Sequence, residues 1–112
     1  MSRDVELSPG DVLHIEAIYD DAEATIILDG ELDMAGLVRL WGYVSAVLAP
    51  HPLSLAVDVL GLTFIDSSGL AALLRARDAA AEAHVAFRLI KPSPAVRHLA
   101  EYAGVENLLA DA

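Results

Sequence analysis

Gly61-Leu62-Thr63-Phe64-Ile65-Asp66-Ser67-Ser68-Gly69-Leu70 runs from the end of an apolar strand into the first turn of a helix and places two hydroxyls at the junction. The start of a helix has free backbone N–H groups and the positive end of the macrodipole. A serine there can cap the helix. A phosphoserine there would bring about −1.5 to −2 charges beside donors able to receive it. One helix cap accounts for one hydroxyl; it requires neither a second nor the aspartate just before them. On the residues alone the segment is either a cap or a switch.

Outward from this junction the pattern repeats. Leu53-Ser54-Leu55-Ala56-Val57-Asp58-Val59 puts large aliphatics at odd positions and small or polar groups at even ones, the period of a strand with one well-covered face. After the junction a helix is expected over about Ser68 to Glu82, with Leu70, Leu73 and Leu74 inward and Arg75, Arg77 and Asp78 in water. A strand, His84 to Ile90, comes next, with Val85, Phe87 and Leu89 on one side. Ser93 then caps a helix that has Pro94 at its first position, an inner stripe of Val96, Leu99 and Ala103, and Gly104 at its end. Val105 to Ala110 can add a last short helix.

Upstream, residues 1–10 read as a flexible lead-in ending in Pro9-Gly10. Val12 to Ile18 and Ala24 to Leu28 read as an antiparallel hairpin turning at Asp20-Asp21. Gly30-Glu31-Leu32-Asp33 closes the second strand, and Asp33 can cap the next helix. That helix spans about Met34 to Leu48, with Leu37, Trp41, Val44 and Leu48 as its apolar stripe, and Pro50 and Pro52 end it. The order β-β-α-β-α-β-α implies parallel pairing through right-handed crossovers, with the first strand as an antiparallel edge. The reading is one α/β domain over residues 1–112, a four-stranded mixed sheet packed with three to four helices.

Bulk properties narrow the function. Hydrophobic residues make up 55% of 112, so a folded core is expected. The formal net charge of −10 argues against nucleic acid and anionic membranes and favours a partner with a basic face. With no cysteine there are no disulfides and no thiolate metal sites. No apolar run reaches the roughly 18 residues that span a bilayer, and Met1-Ser2-Arg3-Asp4-Val5-Glu6 has no signal-peptide pattern, so a cytoplasmic protein is expected.

Catalytic and metal chemistry find little support. His14, His51, His84 and His98 share no metal-ligand spacing, and no metal or cofactor is expected. Ser67 lies in no nucleophile elbow and has no obvious His–Asp pair to serve it, so a hydrolase is not expected. A phosphate-binding Gly-rich loop with lysine is absent. Asp20, Asp21 and Glu23 read as a solvated turn, and Trp41 as a core residue.

From about residue 11 to residue 110 the chain resembles the STAS domain, and within it the bacterial anti-sigma factor antagonists. The resemblance rests on Gly30-Glu31-Leu32-Asp33, on Asp58 eight residues before Asp66, and above all on Phe64-Ile65-Asp66-Ser67-Ser68-Gly69-Leu70. Val96, Leu99 and Gly104 fit the family's C-terminal helical pattern.

The resemblance implies a regulatory binding protein that is not an enzyme. In such antagonists a serine kinase that doubles as the anti-sigma factor phosphorylates the first serine of Asp-Ser-Ser-Gly, here Ser67. The unmodified antagonist binds that kinase and frees the sigma factor; the modified one lets go, and a metal-dependent serine phosphatase resets it. Asp33, Asp66, Ser67, Ser68, Gly69 and Leu70 become the expected partner-binding residues of a monomer. The chain departs from the family pattern at Met34-Ala35-Gly36, where threonine and alanine are usual, and at Ala79 to Ala83, where a glycine is usual. The other function within reach is a STAS scaffold or accessory subunit of a transport or signalling complex. The intact Asp66-Ser67-Ser68-Gly69 motif favours the switch.

Overall fold

In the computed structural model, residues 12–109 are described. They form β1 (Leu13–Asp20), β2 (Glu23–Leu32), α1 (Leu37–Leu48), β3 (Ser54–Ile65), α2 (Ser67–Glu82), β4 (Ala86–Ile90) and α3 (Pro94–Tyr102). Short 3-10 turns occupy Met34–Gly36 and Glu106–Leu109. The lead-in expected over residues 1–10 lies outside the described residues, as does Ala110. No described helix is long and apolar enough to cross a membrane.

The four strands lie in chain order, β1-β2-β3-β4. β1 pairs antiparallel with β2; β2–β3 and β3–β4 are parallel. This is the mixed sheet expected from the alternation of elements. Alternate side chains bury one face: Leu13 and Ile15 on β1, Ala24, Ile26 and Leu28 on β2, Leu55, Val57 and Val59 on β3, Leu89 on β4. The other face carries exposed Ile18 beside half-buried Thr25, Ile27, Asp58 and Ile90. There Arg88 pairs with Glu23 at 3.0 Å and Lys91 with Asp58 at 3.6 Å. Glu23 is not a freely solvated turn residue. Ser54 Oγ donates to it at 2.8 Å, and the bonds from Ser54 and Arg88 hold its carboxyl below the usual range, against some desolvation.

Several boundaries differ from the sequence reading. β3 runs six residues past Val59, because Leu62 and Ile65 continue into the core while Leu60, Thr63 and Phe64 face out. β2 likewise reaches Leu32. Register shifts between Ile27 and Asp29 and between Gly30 and Glu31 let the two long strands stay paired. α1 begins at Leu37, after a 3-10 turn, and its fully buried stripe is Leu40, Val44, Val47 and Leu48; Leu37 and Trp41 are half-buried. The stripe is turned because Trp41 lies under the Arg75 guanidinium, 4.7 Å from its ring centre, at the α1–α2 groove. Arg75 therefore stacks instead of standing free in water. His84 is in a left-handed turn at φ 60°, not in a strand.

α2 buries Ala72, Ala76 and Ala80 beside Leu70 and Leu73, and these small groups let neighbouring elements close on it. Ser93 caps α3 as expected, with its Oγ 3.3 Å from the Val96 N–H, and Gly104 ends the helix at φ 76°. The buried positions of α3 are Val96 and Ala100, with Leu99 half-buried and Ala103 exposed. Gly36, unusual beside the family pattern, is buried; a Cβ there would stand 2.7 Å from Leu13 Cδ2. Gly42 is different, since a Cβ there would meet nothing within 4 Å. Inside a helix it costs about 1 kcal/mol relative to alanine.

Leu55 and Leu53 offer a direct check of the core. Leu55 is 0% exposed and Leu53 76%. Leu55→Ala is expected to lower the unfolding free energy by about 2–5 kcal/mol, and Leu53→Ala by less than about 0.5 kcal/mol, both read from urea denaturation.

Candidate functional site

The site begins in strand register. Leu32 and Ile65 are paired Cα partners in the parallel β2–β3 ladder. The next residues, Asp33 and Asp66, therefore leave the sheet side by side, and the Asp66 N–H reaches back to the Leu32 carbonyl at 3.4 Å. Both are at the C-terminal edge of parallel strands, where binding sites of open α/β sheets gather.

Each aspartate then caps the helical turn after it. Asp33 Oδ1 accepts from the Ala35 N–H at 3.0 Å and starts the 3-10 turn. α1 itself has Gly36 at its N-cap and no side-chain cap. Asp66 is the N-cap of α2, in extended backbone, and its Oδ1 accepts from the Gly69 N–H at 2.9 Å. Ser68 Oγ donates to the same Oδ1 at 2.6 Å. The capping residue is thus the aspartate, and α2 starts at Ser67, one residue earlier than the sequence suggests. Burial pulls the Asp66 carboxyl up, but the bonds from Ser68 Oγ and from the Gly69 and Ser68 N–H groups outweigh it and hold the carboxyl below the usual range.

The two hydroxyls are therefore unlike. Ser68 is half-buried and tied to the cap. Ser67 is exposed at the first position of α2, and among the described residues its Oγ has no hydrogen-bond partner. Its hydroxyl is free beside the positive end of a 16-residue helix.

Two residues of the expected partner-binding set are buried. Leu70 is 4% exposed, and its side chain anchors α2 to the core. Gly69 is buried too, and a Cβ there would collide with the Leu32 carbonyl. They hold Ser67 in place from beneath. Nearby, residues that the sequence reading did not assign to partner binding are exposed: Phe64 at 46%, Met34 at 72% and Val38 at 82%. Phe64 is exposed because it lies on the outward side of the extended β3. Asp33, Asp66 and exposed Glu31 add carboxylates to the same edge.

Among the described residues no group of His, Asp and Glu is arranged to hold a metal ion. The concavity of about 400 Å³ bounded by Tyr19, Glu23, His51 and Leu53 lies at the other edge of the sheet, where β2 and β3 begin.

Residues 18–110 match the family model described as Mlab, STAS domain. The chain belongs to the STAS family. No curated protein matches it in sequence. Among solved structures, this STAS domain is similar to an anti-sigma factor antagonist from Mycobacterium paratuberculosis, with a TM-score of 0.78 and 22% identity over 91% of this chain and 86% of that one. It is also similar to the anti-sigma factor antagonist SpoIIAA in its unphosphorylated form, with a TM-score of 0.71 and 24% identity over 89% and 87%. The phosphorylated form of SpoIIAA, a Bacillus cell fate determinant, gives a TM-score of 0.67 and 23% identity over 89% and 90%. At these identities the likeness is one of fold.

The cap separates the two serines experimentally. Asp66→Ala is expected to cost about 1 kcal/mol, and Ser67→Ala to stay within about 0.5 kcal/mol of wild type. Because the folded-state carboxyl titrates below its unfolded value, its contribution is present above the ordinary aspartate range and is lost as pH falls through the lowered value. The gap between wild type and Asp66→Ala should therefore shrink in acid, measured by thermal melts at about pH 7 and below about pH 3.

Proposed function

We propose that this STAS domain is an anti-sigma factor antagonist controlled by phosphorylation of Ser67. Unmodified, it binds an anti-sigma factor that is also a serine kinase, and a sigma factor is released. The kinase transfers the γ-phosphoryl of ATP to Ser67 Oγ, ADP leaves, and the modified domain dissociates. A serine phosphatase restores the hydroxyl. The domain works as a cytoplasmic monomer and performs no chemistry of its own.

One observation carries this reading: of the two motif hydroxyls, Ser67 alone is exposed and unengaged, at the first position of a long helix. Ser68 is consumed by the cap. A phosphate on Ser67 would add bulk and nearly two strongly hydrated charges where the unmodified surface offers a small hydroxyl, and so would break the fit of a partner face that packs closely on it. The strand–helix junction need not refold, because N–H donors already lie beside the new group. The similarity of this fold to both forms of SpoIIAA supports a switch that acts at the surface.

The scaffold reading draws on a different observation: the matching family model is described by Mlab and not by the antagonists. A domain of that kind would bind its partner equally well with Ser67 modified or not.

Incubation with the partner kinase and ATP, followed by mass spectrometry, should place phosphate on Ser67 and leave Ser67→Ala unlabelled. Modification of Ser68 alone would reverse the assignment. In calorimetric titration Ser67→Ala should bind the kinase as wild type does, and phosphorylated protein at least tenfold more weakly. Equal affinities for the two forms would establish the scaffold.

Asp33 has two roles to separate. Asparagine caps about as well as aspartate but lacks the charge. Asp33→Asn should keep the wild-type melting temperature and slow phosphorylation of Ser67 several-fold. Wild-type rates for Asp33→Asn, with earlier melting of Asp33→Ala, would make Asp33 a cap alone.

A further inference from the structure

The cavity of about 400 Å³ at the far end of the sheet is walled by two segments of chain. Tyr19 and Asp21 come from the β1–β2 turn; Pro50, His51, Pro52 and Leu53 come from the connection between α1 and β3. Its volume is in the range of about 300–1,000 Å³ typical of small-ligand sites. From Glu23 to Leu32 is nine steps along β2, about 30 Å at about 3.3 Å per residue, so the cavity is remote from the Asp33–Asp66 junction. Leu13, where β1 begins, pairs with Gly30 and stands about 23 Å along its strand from Asp20. The described chain therefore enters the sheet at the opposite end.

The walls are fixed to each other and to the helices. The Leu53 N–H donates to the Ala22 carbonyl at 2.8 Å, and the His51 N–H to the Leu48 carbonyl at 2.9 Å. His51 Nδ1–H donates to the Ala83 carbonyl at 3.2 Å, which ties the connection to the end of α2. The two prolines restrict their own backbone. Asp21 and His51 hold left-handed backbone, at φ 55° and 54°, which aspartate and histidine tolerate better than most residues.

These bonds also decide what the cavity can recognise. Along residues 50–53 no N–H is free: Pro50 and Pro52 have none, and those of His51 and Leu53 are spent. A carbonyl only accepts, so the His51 proton sits on Nδ1, and in the neutral ring Nε2 is an acceptor. Among the described residues the Asp21 carboxylate has no partner, whereas that of Glu23 is taken by Ser54 and Arg88. None of the lining residues is lysine or arginine. This wall therefore gives an anion no donor, and one free carboxylate with one imidazole is too few ligands for a metal ion. The remaining surface is apolar. Leu53 is 76% exposed and Tyr19 57%, and both border the same concavity as the two proline rings.

We infer that this cavity binds a small organic ammonium ion, its hydrocarbon part against Leu53, Pro50 and Pro52 and its charge at Asp21 and the ring of Tyr19. An aromatic face attracts a cation, and a carboxylate beside it completes the recognition. The net charge of −10 favours the same sign of ligand. Binding here requires nothing of Ser67 and is independent of the function proposed above.

Three probes of one shape and different charge test this: phenethylamine, 2-phenylethanol and phenylacetate, each titrated into the full chain and followed by amide NMR. Phenethylamine should shift amides of residues 19–23, 51 and 53 with a Kd of about 1 mM or tighter. Phenylethanol should bind at least tenfold more weakly, and phenylacetate should leave these amides unmoved. Asp21→Asn keeps a residue that tolerates left-handed backbone and removes the charge; it should weaken phenethylamine at least tenfold and leave phenylethanol unchanged. Leu53→Ala should weaken both. Equal binding of the three probes, shifts at other residues only, or no saturable shift up to about 10 mM would overturn the inference. Tighter binding of Nα-acetyl-lysine methylamide than of phenethylamine would assign the cavity to a side chain of a partner protein and overturn it too.

Discussion

The parallel pairing of β2 with β3 is the constraint that organises the whole domain. It sets Leu32 beside Ile65, so the chain leaves the sheet twice at one place, through Asp33 and through Asp66. The same ladder carries fully buried side chains, Ile26, Leu28, Leu55 and Val57 among them. A slip of one residue would turn all of them to the exposed face. Core burial and site geometry are therefore fixed by a single register, and the position of Ser67 inherits the rigidity of the sheet.

Close approach depends on small residues. Gly69 lets the first turn of α2 sit on the Leu32 carbonyl, Gly61 passes under the Asp29 carboxylate, and the alanines of α2 let its neighbours close in. These contacts give the glycine and leucine that end the motif a role inside the domain. Gly69 and Leu70 set the height and tilt of the helix start, and Ser67 projects because they do not. Asp66 adds the electrostatic half: it satisfies an orphan N–H of α2 and occupies the Ser68 hydroxyl, which leaves one serine available.

Parts of the molecule resist reading from sequence for identifiable reasons. The strand reads as Leu53 to Val59 by its alternation, which Gly61 breaks; Leu62, Thr63, Phe64 and Ile65 nonetheless extend β3, since β2 supplies partners as far as Leu32. The α1 stripe reads as Leu37, Trp41, Val44 and Leu48; the ring of Trp41 instead pairs with Arg75 at the α1–α2 groove, and Leu40 and Val47 take the interior. Capping of α2 cannot be assigned among Asp66, Ser67 and Ser68 by residue type, because all three are good caps. Only the backbone geometry at Asp66, extended at φ −107°, decides between them.

Local pattern was enough to establish the order of elements, the antiparallel edge strand, the cap of α3 at Ser93 and the family. Alternation, a serine before proline and a motif of ten residues carry that information within short stretches of chain. The motif also brought Ser67 forward. Folding in three dimensions decided the rest: which hydroxyl is free among the described residues, which motif residues are buried, and that Met34, Val38 and Phe64 stand exposed on the surface. Those properties depend on which side of an element meets another element, and that is set by contacts between residues far apart in the chain.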